Sequence, residues 1–116
     1  MRRLSILAIP TRGGIVLVDP RDVTHAVSDG QLVTVHTRQG AALLTACSLR
    51  TLHARLRARV DRVHRRALLC LRHVARLVPL ATGGYTAWTT TGARVEVSRL
   101  AARALRKRLG LGASSA

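Results

Sequence analysis

Residues 62–71 read Arg62-Val63-His64-Arg65-Arg66-Ala67-Leu68-Leu69-Cys70-Leu71, which places three arginines and a histidine directly before an apolar run. Strand character continues from Arg62 to Leu80, and this length predicts two strands. The apolar residues Leu68, Leu69 and Cys70 are expected to pack inside a sheet. Asp61 is the only acid near these cations, so the stretch predicts a basic cluster beside a buried apolar strand.

A second basic cluster follows near the C-terminus. Residues 95–109 read V-E-V-S-R-L-A-A-R-A-L-R-K-R-L and contain no acid after Glu96. A strand at Arg94–Val97 is expected to turn through the N-cap Ser98 into a helix that Gly110 and Gly112 end. Its expected apolar stripe consists of Leu100, Ala101, Ala104 and Leu105.

Charge and size restrict the partners of the chain. Twenty Lys and Arg against five acids give a net charge of +15, and nine arginines but one acid lie between residues 50 and 76. A hydrophobic fraction of 47% in 116 residues predicts one globular domain over residues 1–112 and a disordered tail at 113–116. Such a field attracts a polyanion, although a GC-rich genome would also enrich arginine.

Other classes of function lack the residues that they need. Cys70 and His73 have ligand-like spacing, and Cys47 with His53 could complete a set, but no second tight pair exists, so no metal is expected. The acids are scattered, which argues against an enzyme, a cofactor or a small-molecule substrate. Two cysteines and the absence of a convincing signal peptide favour the cytoplasm. The apolar run 67–81 contains three basic residues, so no membrane span is predicted.

The rest of the chain alternates short strands and turns. A turn is expected at Pro10–Gly13, and a short helix begins after Ser48 with its apolar seam at Leu49, Leu52 and Leu56. The remaining expected strands are Leu4–Ile9, Gly14–Val18, Val23–Val27, Leu32–Thr37, Ala41–Ala46 and Tyr85–Thr90.

This order of elements, from Ile9 to Leu109, resembles the LytTR DNA-binding domain of bacterial transcription regulators. The central family motif is matched in register by Arg62, Val63, His64, Arg65, Leu68, Leu69 and Leu71. Further matches are the leucine helix 48–56, the strand 32–37, Asp22-Val23 and the closing Val97-Ser98-Arg99. The chain departs from the family pattern at Leu32, Val60, Arg66, Ala67 and Cys70. Arg66 replaces a small hydroxyl residue, which bears on the operator sequence.

The resemblance implies a mainly β, elongated fold of about ten short strands in small antiparallel sheets, with a short central helix and a C-terminal basic helix. It implies a sequence-specific regulator that reads the major grooves of double-stranded DNA through loops and strand ends. Two copies on paired sites are expected, with a regulatory partner protein possible. The positions implied for base contacts are Gln31, Arg65 and Arg99. Those assigned to phosphate contacts are Arg62, His64, Arg66, Arg103, Arg106 and Lys107.

Several alternatives stay open at this stage. Arg65 and Arg99 could be solvated or ion-paired arginines, and His64 could be an interior residue bonded to backbone. The charge would also suit an RNA- or ribosome-associated protein. The basic C-terminal helix would suit a membrane surface, although it has no aromatic anchor. Finally, the chain could be a module that binds another regulator without reading DNA itself.

Overall fold

Residues 5–111 are the part of the chain that the computed structural model describes, and they form ten strands and two α-helices. The expected tail at 113–116 lies outside these residues. The strands are β1 (Leu7–Thr11), β2 (Gly14–Val18), β3 (Val23–Ser28), β4 (Val33–Thr37), β5 (Ala42–Thr45), β6 (Asp61–His64), β7 (Ala67–Leu69), β8 (Val74–Pro79), β9 (Tyr85–Thr89) and β10 (Arg94–Val97). The helices are α1 (Leu49–Leu56) and α2 (Arg99–Arg108), and 3-10 turns span Pro20–Asp22, Arg57–Arg59 and Leu71–His73.

The strands form three antiparallel sheets. A central sheet has the order β5-β4-β3-β7-β6, a second sheet has the order β10-β9-β8, and β1 pairs with β2 alone. The molecule measures 48 × 37 × 24 Å along its principal axes. The predicted mainly β, elongated fold with small antiparallel sheets is therefore confirmed.

The short strand β7 is buried on both of its faces. Leu68 contributes to a core cluster with α1 and β1, whereas Ala67 and Leu69 contribute to a second cluster with β10 and α2. The solvent-exposed fraction of Leu68 and of Leu69 is 0%. A strand that packs on both sides has no polar face, and this explains why residues 67–70 read as an unbroken apolar run.

Helix α1 forms as the sequence predicts. The Ser48 side chain accepts the N–H of Thr51 at 3.0 Å, which satisfies one of the free donors at the helix start. Leu49, Leu52 and Leu56 are all buried against the first core cluster, so the predicted seam is confirmed. This burial fixes the start of α1 beside the central sheet.

Two strand predictions are corrected by the structure. Pro10 and Thr11 were expected in a turn, but they pair with Ile15 and Gly14 as part of β1. This two-stranded ribbon is all edge, where a proline costs no ladder hydrogen bond if its nitrogen faces outward. The stretch 62–80 was expected to hold two strands, but the turn at 65–66 and the 3-10 turn at 71–73 divide it into three, β6, β7 and β8.

The buried face of α2 also differs from the predicted stripe. Leu100 is 78% exposed and Ala104 is exposed, whereas Ala102 and Leu105 are buried in the second core cluster. The helix is aligned by its contact with β6 rather than by its most apolar residues. Leu100 lies two positions before the buried Ala102, and residues two apart lie on nearly opposite sides of an α-helix. The Leu100 side chain therefore points into solvent.

Candidate nucleic-acid interface

Gln31 lies in the turn between β3 and β4, and Asp29 organises that turn. The Asp29 carboxylate accepts the backbone N–H of Gln31 and that of Leu32, both at 2.9 Å. These backbone hydrogen bonds, first from Leu32 and then from Gln31, hold the pKa of Asp29 below its usual value. Asp29 is therefore ionised at neutral pH and keeps the turn closed. The Gln31 side chain is exposed and makes no hydrogen bond within residues 5–111.

Arg65 lies in the turn between β6 and β7, and Arg62 braces that turn from behind. The Arg62 guanidinium donates to the carbonyl oxygen of His64 at 3.0 Å and to that of Arg65. Both Arg65 and Arg66 are exposed, and their side chains make no hydrogen bond to the described residues. The turn thus presents the side chains of Arg65 and Arg66 to solvent, and the hydrogen bonds from Arg62 fix the backbone of the turn.

His64 is the middle of a small polar network. Its Nδ1 accepts the backbone N–H of Arg66 at 3.1 Å, and its Nε2 lies 3.3 Å from the Glu96 carboxylate. Because Nδ1 accepts a hydrogen bond, the neutral ring carries its hydrogen on Nε2, where it faces Glu96. His64 therefore joins the β6–β7 turn to β10, and it is half-buried rather than fully interior.

The turns that carry Gln31 and Arg65 are neighbours in space. The backbone N–H of Ser28 donates to the carbonyl oxygen of Arg66 at 2.8 Å. Gln31 and Arg65 line one open depression of about 410 Å³, together with Arg62 and Arg50. Arg50 lies outside the predicted apolar seam of α1 and was not among the residues expected to contact DNA. Its position two residues after the N-cap Ser48, at the helix start beside the central motif, was the available signal.

Arg99 lies at the same end of the molecule. The backbone N–H of Ser98 donates to the carbonyl oxygen of Val63 at 2.8 Å, so β10 ends where β6 ends. The Arg99 side chain is exposed and has no hydrogen bond within the described part of the chain. Its stem passes the glycine turn after β8, since a Cβ built on Gly83 would lie 3.1 Å from Arg99 Cγ and Cδ. The structure therefore brings all three residues expected at bases to one end of the fold.

The cations of α2 fall into two groups. Arg103 and Lys107 follow Arg99 at intervals of four residues, so the three share one side of the helix, and all are exposed. Arg106 instead donates to the Tyr85 hydroxyl at 2.8 Å. Arg108 forms an ion pair with Asp61 at the start of β6. Helix α2 consequently runs antiparallel to β6, from Ser98 beside Val63 to Arg108 beside Asp61.

Within residues 5–111, no three His, Cys, Asp or Glu side chains come together in a way that could hold a metal ion. In the same residues, no helix is long and apolar enough to cross a membrane.

Cys70 is 5% exposed and belongs to the first core cluster, in agreement with its expected packing role.

The chain was compared with known families and structures. The LytTr DNA-binding domain family matches residues 13–110. A solved structure with the same fold is the LytTr DNA-binding domain of a Bacillus cereus protein described as a methyl-accepting/DNA response regulator. It is 22% identical, with a TM-score of 0.80 and a match that covers 93% of this chain and 99% of the other. The search of curated proteins found no match. The family match spans nearly the whole domain, and the chain therefore belongs to the LytTr DNA-binding domain family.

Proposed function

We propose that this chain is a sequence-specific, double-stranded DNA-binding transcription regulator that reads major grooves with its turns and strand ends. The observation that carries the proposal is the gathering of Gln31, Arg65 and Arg99 at one end of the fold, each with an exposed side chain that makes no intramolecular hydrogen bond. Side chains in this state present their hydrogen-bonding groups to a ligand without first breaking a contact.

The chemistry of the three residues suits base edges. A guanidinium can donate two parallel hydrogen bonds to O6 and N7 of guanine, and each such pair contributes about 1–3 kcal/mol of discrimination. Arg65 and Arg99 would act in this way, and the Gln31 amide would pair with N6 and N7 of adenine. Arg50, which shares the depression with Gln31 and Arg65, is an added candidate for DNA contact.

Phosphate contacts would position the domain without specifying sequence. The side chains of Arg66, Arg103 and Lys107 are exposed and make no hydrogen bond or ion pair in the described structure, so they suit this role. The other cations expected at phosphates have intramolecular partners. Arg62 would reach a phosphate through the N–H donors that do not brace the turn. His64 would bind a phosphate in place of Glu96, and Arg106 would bind one from beside Tyr85.

The size and charge of the domain support binding along one face of a duplex. Its longest axis of 48 Å exceeds the helical repeat of about 34 Å, so one copy could contact two successive major grooves. A net charge of +15 makes two free copies repel each other. We therefore infer that two copies meet on paired sites on DNA rather than in free solution. Such a regulator would act in the bacterial cytoplasm.

Selection from random pools of duplex DNA and of RNA tests the proposal. A duplex consensus with two half-sites is the expected result, whereas enrichment of RNA would instead support an RNA-binding protein. If neither pool is enriched above the unselected pool, the result would instead support a module that only binds another regulator.

The roles of individual residues are then tested by competition on the selected duplex. Arg65→Ala and Arg99→Ala should relax the sequence preference at one position each. Arg103→Ala should weaken specific and random DNA by the same factor, because a phosphate contact is blind to sequence. Equal behaviour of all three variants would contradict this division.

A further inference from the structure

The structure contains a second basic concavity, which lies away from the turns just described. Strands β3 and β6 end at those turns, at Ser28 and His64, and they begin at the opposite end of the central sheet. At that opposite end, the 3-10 turns at 20–22, 57–59 and 71–73 surround a cavity of about 600 Å³. Six residues of β3 separate the two sites, a distance of roughly 17–20 Å.

The rim of this cavity is rich in arginine. Arg21, Arg59, Arg72 and Arg108 all line it. Arg21 is paired with Asp19 at 2.7 Å, and Arg108 with Asp61. Arg59 and Arg72 are exposed, and neither side chain makes a hydrogen bond or an ion pair with the described residues. Arg59 interacts with Asp19 only through the longer-range attraction of their charges, so both guanidinium groups keep their N–H donors for a ligand in the same concave space.

Part of the cavity lining is apolar. Pro20, Ala58, Leu71 and the buried Cys70 contribute to it, and the one lining carboxylate, Asp61, is paired with Arg108. Guanidinium groups beside apolar side chains suit a ligand that has both anionic groups and an organic body. A volume of about 600 Å³ falls in the range of small-molecule sites.

The walls of the cavity are held by hydrogen bonds. His73 Nε2 lies 2.8 Å from the carbonyl oxygen of Arg21, which joins the first 3-10 turn to the third. The backbone N–H of Thr90 donates to the carbonyl oxygen of His73 at 2.8 Å and anchors the third turn on the β9–β10 loop. The concavity thus exists before any ligand enters, which lowers the entropy cost of binding.

We propose that this cavity binds a small organic molecule that carries at least two phosphate groups. Arg59 and Arg72 would each clamp phosphate oxygens with paired N–H groups, as guanidinium geometry favours. The organic body would cover Pro20, Ala58 and Leu71. The site is additional to the DNA interface.

The experiment titrates the whole chain, without DNA, with ATP carrying a fluorescent methylanthraniloyl group, and follows anisotropy. Saturable binding is expected, with competition by unlabelled ATP and weaker competition by inorganic triphosphate, which lacks the organic body. Arg59→Gln and Arg72→Gln should each weaken binding by about tenfold. The matched control is Arg12→Gln, which removes the same charge from an exposed arginine that does not line the cavity.

A charge-neutral variant separates shape from charge. Ala58→Phe would fill the cavity from an exposed position and should abolish binding while the melting temperature stays unchanged. If Arg12→Gln weakens binding as much as Arg59→Gln and Arg72→Gln do, the probe is attracted only by the overall positive charge of the protein, and the proposal is overturned. Absence of saturation, or unchanged binding in Ala58→Phe, would also overturn it. So would displacement of the probe by duplex DNA in a manner that depends on Arg59 and Arg72, because the cavity would then hold the DNA backbone.

Discussion

The backbone N–H of Ser28 donates to the carbonyl oxygen of Arg66 at 2.8 Å, and this bond joins the turn after β3 to the turn after β6. It uses no side chain, so it persists when residues of either turn are substituted. The separation between Gln31 and Arg65 is therefore set by the main chain. Two side chains held in this way meet a duplex as one unit, which makes their energetic coupling measurable.

The double variant Gln31→Ala/Arg65→Ala should lose less binding free energy than the sum of the single variants. A coupling of about 0.5–3 kcal/mol is expected for neighbouring residues that share one ligand surface. The measurement is a double-mutant cycle of dissociation constants on the selected duplex. The control pair is Gln31 with Arg103, which share no hydrogen bond or depression, and their losses should add within about 0.5 kcal/mol. Additive losses for Gln31 and Arg65 would mean that the turns bind separately.

Salt dependence should identify the phosphate contacts of α2. Each phosphate contact contributes a slope of about 0.9 to the fall of log affinity with log salt. Arg103→Ala and Lys107→Ala should each reduce the slope by about one, whereas Arg12→Ala in the β1–β2 turn should leave it unchanged. The measurement is a titration at four or more salt concentrations. If neither α2 variant changes the salt slope, Arg103 and Lys107 do not contact DNA phosphates.

Gly84→Ala should destabilise the fold, because a Cβ at this position would lie 2.3 Å from the carbonyl oxygen of Val97. The backbone of the β8–β9 turn must move away from the end of β10, at a cost of about 1–3 kcal/mol. Urea denaturation measures the loss. Gly13→Ala is the matched control, since a Cβ there meets nothing within 4 Å, and its unfolding midpoint should stay close to that of the parent.

The stability of the chain should fall as the pH drops below neutrality. His25 is buried, and its ring stacks on that of His36 at a centroid distance of 4.2 Å. Burial and then the neighbouring His36 lower the pKa of His25 from 6.5 to about 4. The unfolded chain consequently takes up the proton at higher pH than the folded one. The free energy of unfolding should decrease by roughly 3 kcal/mol between pH 6.5 and pH 4.

The measurement is a series of urea titrations between pH 7 and pH 4.5. His25→Gln should flatten the pH dependence, even if it lowers stability at pH 7. The control is His53→Gln on α1, a half-buried histidine whose side chain makes no hydrogen bond or ion pair with described residues. If the steep dependence survives in His25→Gln, another group is responsible for it.

Much of the fold could be predicted because local signals agreed with the final packing. The seam at Leu49, Leu52 and Leu56 repeats with a helical period, and all three side chains reach the core. The gathering of Gln31 and Arg65 followed only from the family resemblance. Their positions are 34 residues apart in the sequence, and no periodicity relates the two turns.

The errors have equally specific causes. Leu100 was expected inside because leucine is apolar, but β6 contacts the other side of α2. The break between strands at Leu71–His73 was missed because the apolar run of β7 continues into this 3-10 turn. The change from strand to turn is therefore not visible in the hydrophobic pattern. The concavity near Arg59 and Arg72 is built by three separate 3-10 turns, so no single stretch of sequence shows it.

Strand β7 packs on two cores at once, and this has a consequence for how the chain unfolds. Neither core can open alone without exposing one side of Leu68 or Leu69 to water. Both halves should therefore unfold in one cooperative step. The backbone amides of β7 should exchange with deuterated solvent only through that global opening. The edge hairpin of β1 and β2 should exchange much sooner, through local fraying. The shortest strand of the sheet would then set the slowest exchange in the molecule.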